Sequence, residues 1–192
     1  SLSLLVRLSS AVSTTNFCMP ASIWHSNPTS SPALNDWLFD QDSLTQRLSA
    51  LCQDGFVVQP LNEGWQTLSL DECAALNLAP NSTGWVREVF LCDGTQPWVF
   101  ARSVAGQAEL MQANFDLSQL GSRSLGQLLF NEQAFSRGPL QICQLSVTQL
   151  PVIAQQQSAG QQHVWARRSC FKKDSLGVLV AEVFLPKLWQ DT

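Results

Sequence analysis

Two apolar segments, Trp85–Cys92 (WVREVFLC) and Pro97–Val104 (PWVFARSV), flank the dipeptide Asp93-Gly94, and this pattern constrains the chain more than any other. β-Branched and aromatic residues favour extended backbone, and Asp-Gly between two such runs is a strong hairpin signal. Pro97 limits where the second strand begins pairing, since it has no N–H to donate. A second hairpin is predicted from Val164–Lys173 and Leu176–Leu185, which meet at Asp174-Ser175, with Pro186 closing the strand. With Phe56–Leu61 and Leu140–Val147 the reading gives about six strands.

Helices are predicted before and between these strands. Pro32 opens a stretch with Leu34, Trp37 and Leu38 on one face, and Asp42 or Ser43 caps a helix carrying Leu44, Leu48 and Leu51. Ser69 and Glu72 form a capping box before a short helix reaching Leu76. Further helical stretches run from Glu109 to Phe115 and, capped by Ser122 or Ser124, through Leu128 and Phe130. Hairpin-joined strands with interspersed helices imply an α+β fold, a single domain with an antiparallel sheet and helices on one face. Residues 1–31, rich in Ser, Thr, Asn and Pro, read as a loose lead-in to a domain over residues 32–192.

The composition narrows the function. A net charge of −4 argues against nucleic-acid binding, which needs a cationic surface, but leaves room for a locally positive pocket. There is no Tyr, and only His25 and His163 are available as imidazoles; His163 follows a Gln-rich loop, where an exposed, inert role is expected. The six cysteines form no C-x-x-C pair and read as reduced, mostly buried thiols, hence a cytoplasmic chain. No metal-spaced His/Cys set and no phosphate-binding Gly loop is visible, so no cofactor is expected. Arg7 breaks the short apolar start, and no later run is long enough to span a membrane. A soluble monomer acting on a small molecule is the expectation.

Charges placed on apolar strands are the candidate site. Arg87 shares a strand face with Trp85, Val89 and Leu91, where a guanidinium needs an anion, either a structural partner or a ligand carboxylate. Glu182 shares a face with Val178, Val180 and Phe184. It is either the partner of an arginine or a carboxylate placed to exchange a proton. Arg102 reads as a ligand contact or as a solvated strand end. Arg167 and Arg168 alternate along a strand, so one can point inward, as a candidate ligand contact, and the other out.

Four segments in order then carry a resemblance. They are Trp37-Leu38 with Asp42, Ser43, Leu44, Thr45 and Arg47; Trp85–Cys92 with Pro97-Trp98 and Ala101–Val104; Leu120-Gly121 with Ser124–Phe130; and Trp165–Ser169 with Ala181–Pro186. Together they resemble the chorismate pyruvate-lyase family. The resemblance implies a ligand buried beneath helical flaps, chorismate as substrate, and pyruvate plus 4-hydroxybenzoate, a ubiquinone precursor, as products. It also implies that Arg87 pairs with the ring carboxylate, the backbone N–H of Leu125 meets the same group, and Glu182 meets the 4-hydroxyl. Leu44 contributes a main-chain contact at a position where the family often has Met. Two roles stay open for Glu182, base towards C4 or holder of the hydroxyl. The alternatives from another class are a sensor of small carboxylates on the same fold and a non-catalytic carrier of 4-hydroxybenzoate.

Overall fold

Asp93 and Gly94 do close the first hairpin, and they also fasten it to its neighbour. Gly94 has φ 55°, and an added Cβ would stand 2.8 Å from the Asp54 Cβ, so the position needs glycine twice over. The Asp93 carboxylate accepts the N–H groups of Gln53 and Asp54, tying the turn to the chain that precedes the first strand. The computed structural model describes residues 24–115, 117, 121–131 and 135–192.

In chain order the elements are α1 (Pro32–Leu38), α2 (Leu44–Leu51), β1 (Phe56–Thr67), α3 (Leu70–Ala75), β2 (Thr83–Asp93), β3 (Gln96–Gly106), α4 (Gln107–Ala113), α5 (Leu125–Asn131), β4 (Ser136–Arg137), β5 (Gln141–Ser146), α6 (Val152–Gln155), β6 (His163–Lys173), β7 (Leu176–Phe184) and α7 (Pro186–Asp191). The strands form a seven-stranded antiparallel sheet in the order β1-β2-β3-β7-β6-β4, with β5 also on β6. The α+β antiparallel architecture is the expected one.

Four local features differ from the expectation. β1 runs on to Thr67, with a pairing irregularity between Pro60 and Asn62, and Gly64 bends it at φ 152°. Pro186 does not merely end the last strand but opens α7, because proline at the first helical position gives up an N–H that has no acceptor there. The Gln-rich stretch begins in the short helix α6. The two-residue β4 is added beside β6.

β2, β3 and β7 are buried on both faces almost throughout. On one face Val89, Leu91, Val99, Ala101 and Phe184 pack with Leu38, Leu44 and Leu48 of α1 and α2, while Trp85, Val178 and Phe171 pack with Leu110 of α4 and Leu125 of α5. The single-face helical cover expected from the sequence describes this side. The opposite face carries a second, thinner layer made by α3 and α6. Packing begins ahead of Pro32: Trp24 is buried, and His25 exchanges two backbone hydrogen bonds with Ile142. Residues 1–23, including Cys18, lie outside the described residues.

Candidate active site

Antiparallel pairing puts partners from adjacent strands on the same face, so the register fixes which side chains share the site. One row across the sheet reads Arg87 (β2), Ser103 (β3), Val180 (β7), Ser169 (β6). The next reads Val89, Ala101, Glu182, Arg167. A third, on the other side of the first, reads Trp85, Ala105, Val178, Phe171, Arg137, the last on β4. The central strand β3 contributes only Ala101, Ser103 and Ala105, and these small side chains leave a hollow between taller neighbours. The cleft encloses about 600 Å³, mouth included. Its walls include Arg87, Arg137, Arg167 and Glu182, and its roof the starts of α2 and α5, from Asp42 to Thr45 and from Ser124 to Gly126.

All four residues expected at the site, Leu44, Arg87, Leu125 and Glu182, line this one cleft. Leu44 and Leu125 are each the first residue of their helix, where backbone N–H groups lack acceptors within the helix. Their side chains are ordinary core. Leu120 of the expected motif lies outside the described residues.

Arg87 is 2% exposed. Its Nη2 donates to the carbonyls of Gly121 at 2.8 Å and Arg123 at 2.7 Å, holding the loop that leads into α5. Its Nη1 stands 3.7 Å from Glu63, too far for a hydrogen bond, and is buried with no hydrogen-bond partner among the described residues. Burial lowers the pKa of this guanidinium and Glu63 only partly restores it. Because both Nη2 protons are already used, a carboxylate meets Arg87 first through Nη1, and a two-pronged pairing with Nη2 requires a loop carbonyl to let go.

Glu182 is not a lone carboxylate. Its Oε1 accepts from Arg167 Nε at 3.3 Å, while Oε2 has no partner among the described residues. Arg167, 1% exposed, also donates through Nη1 to the carbonyls of Trp37 and Asp40, and so holds the α1–α2 connection. Arg167 is thus the inward member of the Arg167-Arg168 pair.

The outward member is not solvated. Arg168 is buried on the second face, where Nη1 donates to Asp71 at 2.6 Å and the guanidinium lies over Trp24. Arg102 does not line the cleft and is not a solvated strand end. It points into the same second layer and holds Glu72 through two hydrogen bonds at 2.8 and 3.0 Å, with Glu88 at 3.3 Å. Glu72 also completes the Ser69 capping box, so α3 acts as an anionic plug over that face. His163 begins β6 and is exposed, away from the cleft.

Arg137 is the site residue that the sequence reading did not find. It sits on a two-residue strand followed by Gly138-Pro139, which shows no alternation from which to read a face. Among the described residues, no three or more His, Cys, Asp or Glu side chains group as metal ligands, and no helix is long and apolar enough to cross a membrane.

An antiparallel sheet with an arginine-walled cleft, roofed by two helix starts, defines an α+β domain able to enclose a small anionic ligand. Residues 21–192 match the chorismate lyase family, and the chain belongs to it. It is 55% identical over 159 residues to a probable chorismate pyruvate-lyase of Pseudomonas aeruginosa (strain UCBPP-PA14), covering 83% of this chain and 86% of that protein. It is 56% identical over 155 residues to a probable chorismate pyruvate-lyase 2 of Pseudomonas entomophila (strain L48), covering 81% of each. Among solved structures, the effector-binding domain of the Bacillus subtilis trehalose repressor aligns with a TM-score of 0.53 at 10% identity, over 68% of this chain and 91% of that one. At such identity the likeness is one of fold alone.

Proposed function

We propose that the chain is a chorismate pyruvate-lyase, splitting chorismate into 4-hydroxybenzoate and pyruvate in the cleft between β2, β3, β7 and β6. Family membership supports the reaction. The observation that carries the site assignment is the buried Nη1 of Arg87, a cationic donor on the wall of the cleft with no hydrogen-bond partner among the described residues. Leaving such a group unsatisfied costs about 1–3 kcal/mol or more, and an arriving carboxylate recovers that cost.

In this reading the ring carboxylate meets Arg87 Nη1 and the N–H of Leu125, and the main chain at Leu44 closes over the opposite edge. The free Oε2 of Glu182 receives the 4-hydroxyl, with Arg167 fixing the carboxylate from behind. The C3–O bond breaks and its electron pair leaves with the enolpyruvyl oxygen. The C4 hydrogen leaves as a proton and its bonding pair completes the aromatic ring, while the released enolpyruvate takes up one proton at its methylene carbon to become pyruvate, so that the proton lost from C4 is balanced. Aromatisation supplies the driving force, so the protein's task is to hold a dianion, exclude water and align the breaking bonds. The free thiols of the five described cysteines suit a reducing, cytoplasmic setting.

The test is direct. Purified protein mixed with chorismate in the presence of a chelator is expected to yield equimolar 4-hydroxybenzoate and pyruvate, followed by absorbance and by a coupled pyruvate assay. A carrier or sensor binds 4-hydroxybenzoate without producing any. Activity lost to the chelator and regained with a divalent ion would show that a metal takes part.

A further inference from the structure

We propose that Arg137 anchors the enolpyruvyl carboxylate of chorismate, a contact that the substrate makes and 4-hydroxybenzoate does not. The inference rests on the chorismate reading above.

It starts from how the charges in the cleft are answered. Arg167 already faces Glu182, and Arg87 has Glu63 within 3.7 Å. Arg137 has no carboxylate within ion-pair distance among the described residues. Its Nε donates to the Ser169 hydroxyl at 3.0 Å and its Nη1 to the Gln41 carbonyl at 3.2 Å, both neutral acceptors, and Nη2 has no described partner. Burial and the neighbouring Arg167 both disfavour its charge, with Glu182 and Asp40 giving partial relief. A second anion in the cleft relieves that penalty most effectively at Arg137.

The register places this cation where a second carboxylate belongs. β2 and β4 are four strand positions apart, roughly 19 Å at ~4.8 Å per step. Arg87 and Arg137 therefore reach inward from opposite walls over the low floor of Ala101 and Ser103. Glu182 stands on β7, between that floor and the Arg137 side. A ring held at one end by Arg87, with its C4 hydroxyl on Glu182, carries the neighbouring C3 substituent towards the β6–β4 wall. There the Arg137 guanidinium is preset: it lies 5.4 Å from the centroid of Phe171, its cross-strand partner, and Ser169 fixes its edge. A planar guanidinium steadied in this way suits a carboxylate.

The signature is a split between substrate and product. Arg137→Gln should lower kcat/KM for chorismate about a hundredfold, within the range for truncating one partner of a charged, hydrogen-bonded pair. The Kd for 4-hydroxybenzoate, measured by calorimetry or tryptophan quenching, should change less than about twofold. Arg137→Lys, which keeps the charge, should recover part of the loss and serves as the variant should the Gln protein not fold. In the unaltered protein pyruvate should compete with chorismate, and it should do so more weakly in either variant. A folded Arg137→Gln protein with unaltered kcat/KM overturns the proposal, and so does one that loses 4-hydroxybenzoate and chorismate affinity in equal proportion, which marks a merely structural role. Failure of the unaltered protein to turn over chorismate at all refutes the underlying reading instead.

Discussion

Arg87 is proposed to combine two jobs in one side chain: Nη2 ties down the loop before α5, and the buried Nη1 is the group proposed to receive the ring carboxylate. Arg87→Ala is therefore expected to weaken chorismate and 4-hydroxybenzoate together, by about 2–5 kcal/mol each. Both keep the ring carboxylate, so equal losses in titrations of the two ligands check the assignment; a folded variant with unchanged product affinity removes it. Residues of this kind were legible in the sequence because alternation along an apolar strand makes a buried charge conspicuous, as with Arg87 and Glu182. The same rule flagged Arg102 and Arg168, which serve the opposite face. Alternation sorts side chains into two sets without saying which set meets a ligand. That choice is made in space by α3, whose Asp71 and Glu72 neutralise one set and leave the other facing a hollow. Arg137 left no trace, because two residues of strand are too few to show a period.

At the scale of elements, the roof is two short helices latched by their own caps. Ser43 caps α2 through the N–H of Gln46 and donates its hydroxyl hydrogen to Gln127 of α5 at 2.7 Å. Ser124 accepts the Gln127 N–H ahead of α5 and lies 2.8 Å from the Thr45 hydroxyl. The caps were readable as Ser-initiated helices; their bonds to each other were not, since they join residues about eighty positions apart in sequence. With the product held as proposed, a closed roof over it implies slow release. Rapid mixing with chorismate should give a burst of 4-hydroxybenzoate near one equivalent, then a slower linear phase. Gln127→Ala leaves both caps in place and removes one cross-helix bond of ~1 kcal/mol, so the linear phase should quicken by up to about fivefold with the burst retained. A trace that is linear from the first turnover means that release is not limiting.

For the whole molecule, both hairpins were written locally in turn residues and alternating strands, whereas the joining of β3 to β7 was not. That pairing unites residues about eighty apart in the chain, and it is what brings Arg87 and Glu182 to one face. The interior that results also decides the thiol chemistry. Burial pushes the Cys52 and Cys92 thiols up to about 11 and Cys143 to about 12. At pH 8 a thiol of pKa about 11 is roughly one part in a thousand thiolate, so alkylation of these three in the native protein should be slow and should become complete only on unfolding. Mass mapping after brief iodoacetamide treatment checks this, and rapid native labelling at Cys143 would contradict it. The three wall arginines each hold roof backbone, Arg87 at Gly121 and Arg123, Arg167 at Trp37 and Asp40, and Arg137 at Gln41. For a lineage drifting towards a new ligand Arg87 and Arg167 are therefore closed ground, since a substitution at either also gives up two bonds to roof backbone. The permissive ground is the floor, where Ala101 and Ser103 can grow or shrink by a methyl or a hydroxyl with the rest of the architecture left standing.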